Sequence, residues 1–223
     1  MELLKILNKE DRIVVGSMVL TMCGVILGAL LAMPSAFGIS TIVVILLLFA
    51  GWRVTQSERL KWLLLFGFVT GVLELLSDWL HVVHLGSLVY TDFFGFKLLS
   101  SPSYMPIGWW LTVVQFGYLS IRLSDYLPQW IVVSVISVLG MSIPPWYEEF
   151  AAPAKAWYYT TPKFTLSHTP VWVIFTYGGC MFCVSIIALL HKRYSSNGSA
   201  VICGIFAGAG IMFSGVLWFA LLG

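Results

Sequence analysis

Two carboxylates, Glu74 and Asp78, stand inside an otherwise apolar run, with His81 three residues further on. At 100° per residue the three fall within about 60° of one another on a helix, while Trp79 points elsewhere and His84 lies on the flank. Ionisable groups in such a run are costly and mark a candidate site. The stripe suits three chemistries. A carboxyl in a low-dielectric cavity is favoured in its neutral form and can donate a proton, which makes Glu74 and Asp78 the candidate catalytic pair. The same groups can instead serve only as helix-to-helix hydrogen bonds. Thirdly, Glu, Asp and His are metal-ligand types, and His81, Glu148, Glu149 and His168 fall on one side of the expected topology. That reading needs three chain segments to converge.

The elements that carry these residues follow from composition. Of 223 residues, 59% are hydrophobic and 10% charged, against roughly 45–50% and about 25% in soluble domains. So few charges cannot cover a water-soluble fold, and lipid is the expected solvent. A formal charge of +2 with no basic stripe excludes a nucleic-acid binder. A bilayer core about 30 Å thick asks for around 20 apolar residues per helix. Seven runs qualify: Ile13–Met33, Phe37–Trp52, Leu60–Val83, Tyr104–Ile121, Leu127–Ile143, Thr169–Leu190 and Ser199–Leu222. The second is the shortest. The expectation is an all-α, polytopic membrane protein, one helical-bundle domain over residues 1–223, with a polar start that is retained as part of the first span.

Cytoplasmic loops carry the excess of Lys and Arg. On seven spans one side holds Lys5, Lys9, Arg12, Arg53, Arg59, Lys61, Arg122, Lys192 and Arg193, and the other holds Lys97, Lys155 and Lys163. The N-terminus is therefore expected in the cytoplasm and the C-terminus outside, with a bacterial inner membrane the expected location. Counting from Leu60 at about 1.5 Å per residue, Glu74 lies roughly 21 Å across and Asp78 roughly 27 Å, in the outer half.

The long loops after spans three and five share that outer side and are expected to cap the bundle. They concentrate aromatics and prolines: Tyr90, Tyr104, Trp109 and Trp110 around the start of span four, and Trp146 and Tyr147 after Pro144 and Pro145, which are expected to end span five. These six aromatics are the candidate substrate-binding residues. Thr169 is placed as the cap of span six and Pro170 as its first helical residue. Gly204 and Gly208 predict close helix packing. The four cysteines sit in apolar runs, where small polarizable packing residues are expected; Cys180 and Cys183 also have the spacing of a redox or metal pair.

The segment Leu73 to Trp110 combines a carboxylate-bearing helix, a Gly and Tyr turn (Gly86 to Tyr90), a Ser/Pro stretch and a Met-Pro-x-x-Trp opening the next helix. It resembles the small integral-membrane carotenoid hydratases of the bisanhydrobacterioruberin type and, more distantly, the seven-span membrane terpene cyclases. It is also compatible with an uncharacterised bacterial membrane protein family. The resemblance implies protonation of an isoprenoid alkene or epoxide, with Glu74 as donor and Asp78 as its partner, and with water or a second alkene capturing the cation. On the residues, π faces at Tyr104, Trp109 or Trp110 would steady that cation. No cofactor is required, and the expected partner is a membrane lipid or isoprenoid. Two other functions fit the same residues: a non-catalytic accessory subunit contacting membrane protein partners, and a proton-coupled transporter.

Overall fold

The computed structural model describes residues 8–91, 96–160 and 162–223; Lys5 of the cation count lies outside them. Among these residues the architecture is helical, with seven long helices. They are α1 (Lys9–Leu30), α2 (Pro34–Thr55), α3 (Glu58–Trp79), α4 (Met105–Leu123), α5 (Gln129–Ala154), α6 (Val171–Leu189) and α7 (Asn197–Leu222). Each start has a local reason. Asn8 accepts from the Asp11 amide at 2.8 Å while Asp11 accepts from the Asn8 amide at 3.0 Å, a reciprocal cap worth about 1 kcal/mol. Ser57 and Ser196 cap α3 and α7 in the simpler way. Pro34 stands in the first turn of α2, where its missing N–H costs nothing.

Six helices are long and apolar enough to cross a membrane, and α4 is the one that falls short. Expectation had singled out α2 as the weakest, but α2 runs 22 residues. The physical reason lies in position. α4 touches α1, α2, α3, α5 and α6, so Val113, Val114, Tyr118 and Ser120 are buried in protein. A helix shielded on most sides does not need a lipid-compatible surface. The outer helices carry large apolar side chains on their outward faces: Leu46 is 60% exposed, Phe206 66% and Phe213 66%.

Close approaches hold α3 at the centre with α4. A Cβ at Gly71 would lie 2.3 Å from the Pro106 carbonyl oxygen and 2.8 Å from the Trp110 nitrogen. Gly204 and Gly208 do the same for α7, set against Val69 and Leu73 of α3, so the G-x-x-x-G pattern works inside the bundle. At one end a charged knot ties three elements. Buried Asp11 accepts from Tyr118 at 2.7 Å and from Arg122 at 3.0 Å. Arg122 also reaches Asp125, which Lys192 contacts at 2.9 Å.

The opposite end carries a small roof. β1 (Leu88–Tyr90), from the α3–α4 connection, pairs antiparallel with β4 (Trp157–Tyr159), from the α5–α6 connection, with Leu88 opposite Tyr159 and Tyr90 opposite Trp157. Two short hairpins, β2 (Lys97–Leu98) with β3 (Ser101–Pro102) and β5 (Thr165–Leu166) with β6 (Thr169–Pro170), fold each connection on itself. Their turns place Leu99 and Ser167 at φ 54 and 52, the left-handed region that side chains resist. The expected cap is thus present as paired strands.

Two boundaries differ from expectation. α5 does not stop at the Pro144–Pro145 pair but continues to Ala154, at the cost of the ladder bonds to the Gly140 and Met141 carbonyls. Thr169 belongs to β6 and Pro170 is the residue before α6, whose first helical residue is Val171. Strand pairing claims both, so neither is free for the predicted cap geometry.

Candidate functional site

Glu74 and Asp78 face inward from α3, 2% and 6% exposed, as their spacing predicts. They stand one helical turn apart, so their carboxyls share one buried place on α3. Oδ2 of Asp78 accepts two hydrogen bonds, from the Tyr90 hydroxyl at 2.7 Å and from Ser101 Oγ at 2.7 Å. Tyr90 comes from β1 and Ser101 from β3, so the roof itself completes the shell of this acid pair. Oε2 of Glu74 is buried with no hydrogen-bond partner.

His81, third on the predicted stripe, is buried but turned to other company. Beyond Trp79 the helix widens into a π-helical turn, Leu80–His84, which moves the register off the ideal 100° step. The His81 ring stacks on Trp172 at 4.9 Å and meets Ser87 Oγ at 2.9 Å. It packs α3 against α6 and α7. His84 is exposed, edge-on to Trp79.

Beneath the roof lies a cavity of about 110 Å³, walled by Tyr90, Tyr104, Trp109, Tyr147, Glu148, Trp157, Tyr159 and Tyr177. It has room for a few waters or one end of a chain, at about 30 Å³ per water. A larger apolar groove of about 380 Å³ adjoins it between α1, α4, α5 and α6, sharing Thr21, Thr112, Tyr147 and Tyr177. Met18, Met22, Phe116, Leu139 and Trp146 line that groove. The two spaces together join a small polar chamber to a longer apolar groove.

Glu148 is the carboxylate on the cavity wall. It is 5% exposed and accepts from Trp157 Nε1 at 2.7 Å and from the Tyr159 hydroxyl at 2.9 Å. Two donors aimed at one carboxyl are the arrangement that suits its acceptor form. Burial, then the neighbouring Glu148 charge, pushes the Tyr159 phenol well above the usual tyrosine range. Burial and then the Asp78 and Glu74 charges do the same to Tyr90. Both hydroxyls therefore stay protonated donors near neutral pH.

The six candidate aromatics divide. Tyr90, Tyr104, Trp109 and Tyr147 line the cavity, and Trp109 stacks on Tyr177 at 5.1 Å. Trp146 lines the groove. Trp110 is elsewhere: its Nε1 donates to the Leu64 carbonyl at 2.7 Å and its ring meets Phe49 and Phe68 on another flank of the bundle. One residue along a helix turns the side chain by 100°, which separates Trp110 from Trp109. The proposed metal ligands do not converge either. Glu148 serves Trp157 and Tyr159, exposed Glu149 pairs with His168 at 3.1 Å, and His81 packs on Trp172. Among the described residues no three His, Cys, Asp or Glu side chains gather as a metal site. Cys180 and Cys183 are separate free thiols.

Sequence reasoning named Glu148 only as a candidate metal ligand and missed its place on the cavity wall, along with Trp157, Tyr159, Ser101 and Tyr177. Ending the fifth helix at the prolines put Glu148 and Glu149 in a loop. On a continuous helix, adjacent residues diverge, and one of the two acids must face inward when the other faces out.

Fold and site together define a helical protein, six of whose helices among the described residues are long and apolar enough to cross a membrane, with a roofed chamber walled by aromatics and Glu148 at one end. The chain belongs to the family described as Domain of unknown function (DUF6989), whose pattern matches residues 75–222. No match was found among curated proteins or solved structures.

Proposed function

We propose that the protein is a seven-span membrane enzyme that hydrates or cyclises an isoprenoid or other unsaturated lipid by adding a proton to it. α4 is the seventh span, sheltered by its neighbours, and the nine-to-three division of cations supports a cytoplasmic N-terminus and an outer chamber. A bacterial inner membrane is the location that agrees with this reading.

The observation that carries the proposal is a small aromatic chamber with a buried acid pair reached through one wall residue and a separate carboxylate on the wall itself. Behind Tyr90 lie Glu74 and Asp78, the pair that supplies the proton. Glu148 sits in acceptor geometry at the wall. The Tyr90 O–H turns from Asp78 toward the alkene, whose π electrons take its proton while the Tyr90 oxygen accepts the proton of Asp78 in its acid form; a C–H bond forms, the phenol is restored and the acid pair is left with one charge more. Aromatic faces at Trp109, Tyr104 and Tyr177 steady the cation. Water then adds to the cation and gives its proton to Glu148, or a second double bond closes a ring and the proton is lost to the same carboxylate. Proton return between the sides restores the starting state.

The test is to identify the lipid that co-purifies with the full chain and to incubate it with protein in D2O. One deuterium per product molecule is expected, and Glu74→Gln should reduce its incorporation by about 100-fold or more while the lipid stays bound. Co-purification of saturated lipid only, with no deuterium gained by added unsaturated lipid, would overturn the reading. A stoichiometric assembly with other proteins and no turnover would favour the accessory-subunit alternative.

A further inference from the structure

A second pocket, remote from the chamber, lies on the flank where α2 and α3 diverge from their two-residue turn. It measures about 250 Å³ and is walled by Phe49, Trp52, Leu64, Leu65, Phe68 and Trp110, with Lys61 as its one charged wall residue. Its aromatic floor is rigid: Trp110 is pinned by its bond to the Leu64 carbonyl, and Phe49 and Phe68 meet its ring edge-on at 5.4 and 5.1 Å. α2 and α3 pack little on one another directly, so the pocket opens sideways between them. Phe68 is 47% exposed, so the opening presents hydrocarbon to the surroundings.

Charge gathers at one end of this slot only. Lys61 projects from the second turn of α3, and Arg53 lays its guanidinium over the Trp52 ring at 4.7 Å. Lys61 has one anionic contact among the described residues, Glu58 at 3.3 Å, whose side chain is 74% exposed. Such a pair exchanges readily for another anion because it is worth little in solvent. An apolar slot running along the helices, closed by a pinned tryptophan and crowned by two cations at the bilayer boundary, matches one chemistry: a diacyl lipid with an anionic phosphate headgroup.

We infer that this pocket is a binding site for an anionic phospholipid, with one acyl chain against Phe49, Phe68 and Trp110 and its phosphate between Lys61 and Arg53. The occupant belongs to the leaflet at the Lys- and Arg-rich end. The site needs a bilayer around the helices but shares no residue with the acid chamber, so the two readings stand or fall separately.

Native mass spectrometry of the full chain, delipidated in mild detergent and titrated with phosphatidylglycerol or phosphatidylcholine of the same acyl chains, tests it. Wild type should retain one phosphatidylglycerol in preference to phosphatidylcholine, with affinity falling about fivefold for each of Lys61→Gln and Arg53→Gln. These are surface changes that leave the helices' packing untouched. In the same protein, acyl chains brominated near the headgroup should quench tryptophan fluorescence, and Trp110→Phe should remove part of that quenching. Equal retention of the two lipids, or an unchanged affinity in the double variant, would overturn the site. Competition by glycerol phosphate as strong as by the intact lipid would overturn the acyl-chain assignment.

Discussion

The Tyr90 hydroxyl donates to Asp78 Oδ2 at 2.7 Å, which joins a strand of the roof to the deepest acid pair in the bundle. Removing that donor leaves the Ser101 hydroxyl as the donor to Asp78. Tyr90→Phe should cost about 1.5–3 kcal/mol, read as a lower unfolding temperature in detergent. An unchanged transition would mean that the hydroxyl does not hold the roof down.

Glu148 and Glu74 should fail differently. Glu148→Gln keeps the shape, with its carbonyl oxygen accepting from Trp157 Nε1 and its amide donating to the Tyr159 oxygen, but it cannot take a proton from water. Proton addition should survive, with deuterium scrambled into recovered substrate, while the hydrated or cyclised product falls about 100-fold. Glu74→Gln should stop both. Loss of both in Glu148→Gln would assign the donor to the wall.

Glycines offer a packing test with an internal control. Gly71 has backbone atoms of α4 within 2.3 and 2.8 Å of any added Cβ, whereas Gly16 has nothing within 4 Å. Backbone cannot rotate aside, so Gly71→Ala should cost at least about 1–3 kcal/mol. Gly16→Ala should be neutral or slightly stabilising. Equal unfolding temperatures for the two would contradict the α3–α4 interface.

Asp125 supplies a pH test at the charged end. Burial acts to raise its carboxyl, but hydrogen bonding and charge from Lys192, then Arg122 and Arg59, outweigh it and hold the group below the ordinary aspartate range. A depressed folded value means stability that is present above the unfolded value and lost as pH falls through the folded one. Wild type should therefore exceed Asp125→Asn in unfolding temperature near pH 6, and the gap should close on acidification below the ordinary aspartate range. A constant gap would deny the ion pair its role.

Topology can be read with reporters. Fusions of alkaline phosphatase after residue 126, between α4 and α5, should be inactive, and fusions at Gly223 should be active. The reverse pattern would invert the chamber, and activity at both would remove a span.

Much of the fold is legible in the sequence. Seven apolar runs mark seven helices because each is too long for a buried strand, and the Glu74–Asp78 spacing places both on one face by helix geometry alone. The roof was legible only as a region, since Leu99 and Ser167 occupy turn positions that sequence normally marks with glycine. Glu148 was hidden by a proline pair that usually ends a helix and here does not. His81 was displaced by a widened turn that no residue at Leu80–His84 advertises. What failed to read out was backbone irregularity, and it is concentrated around the chamber.

The β1–β4 pairing also sets an order of assembly. Tyr90 is made long before Trp157, its partner across the strand pair, so the roof cannot close until the fifth helix has been made. That helix also brings Tyr147 and Glu148 to the wall, so one late segment both completes the chamber and covers it.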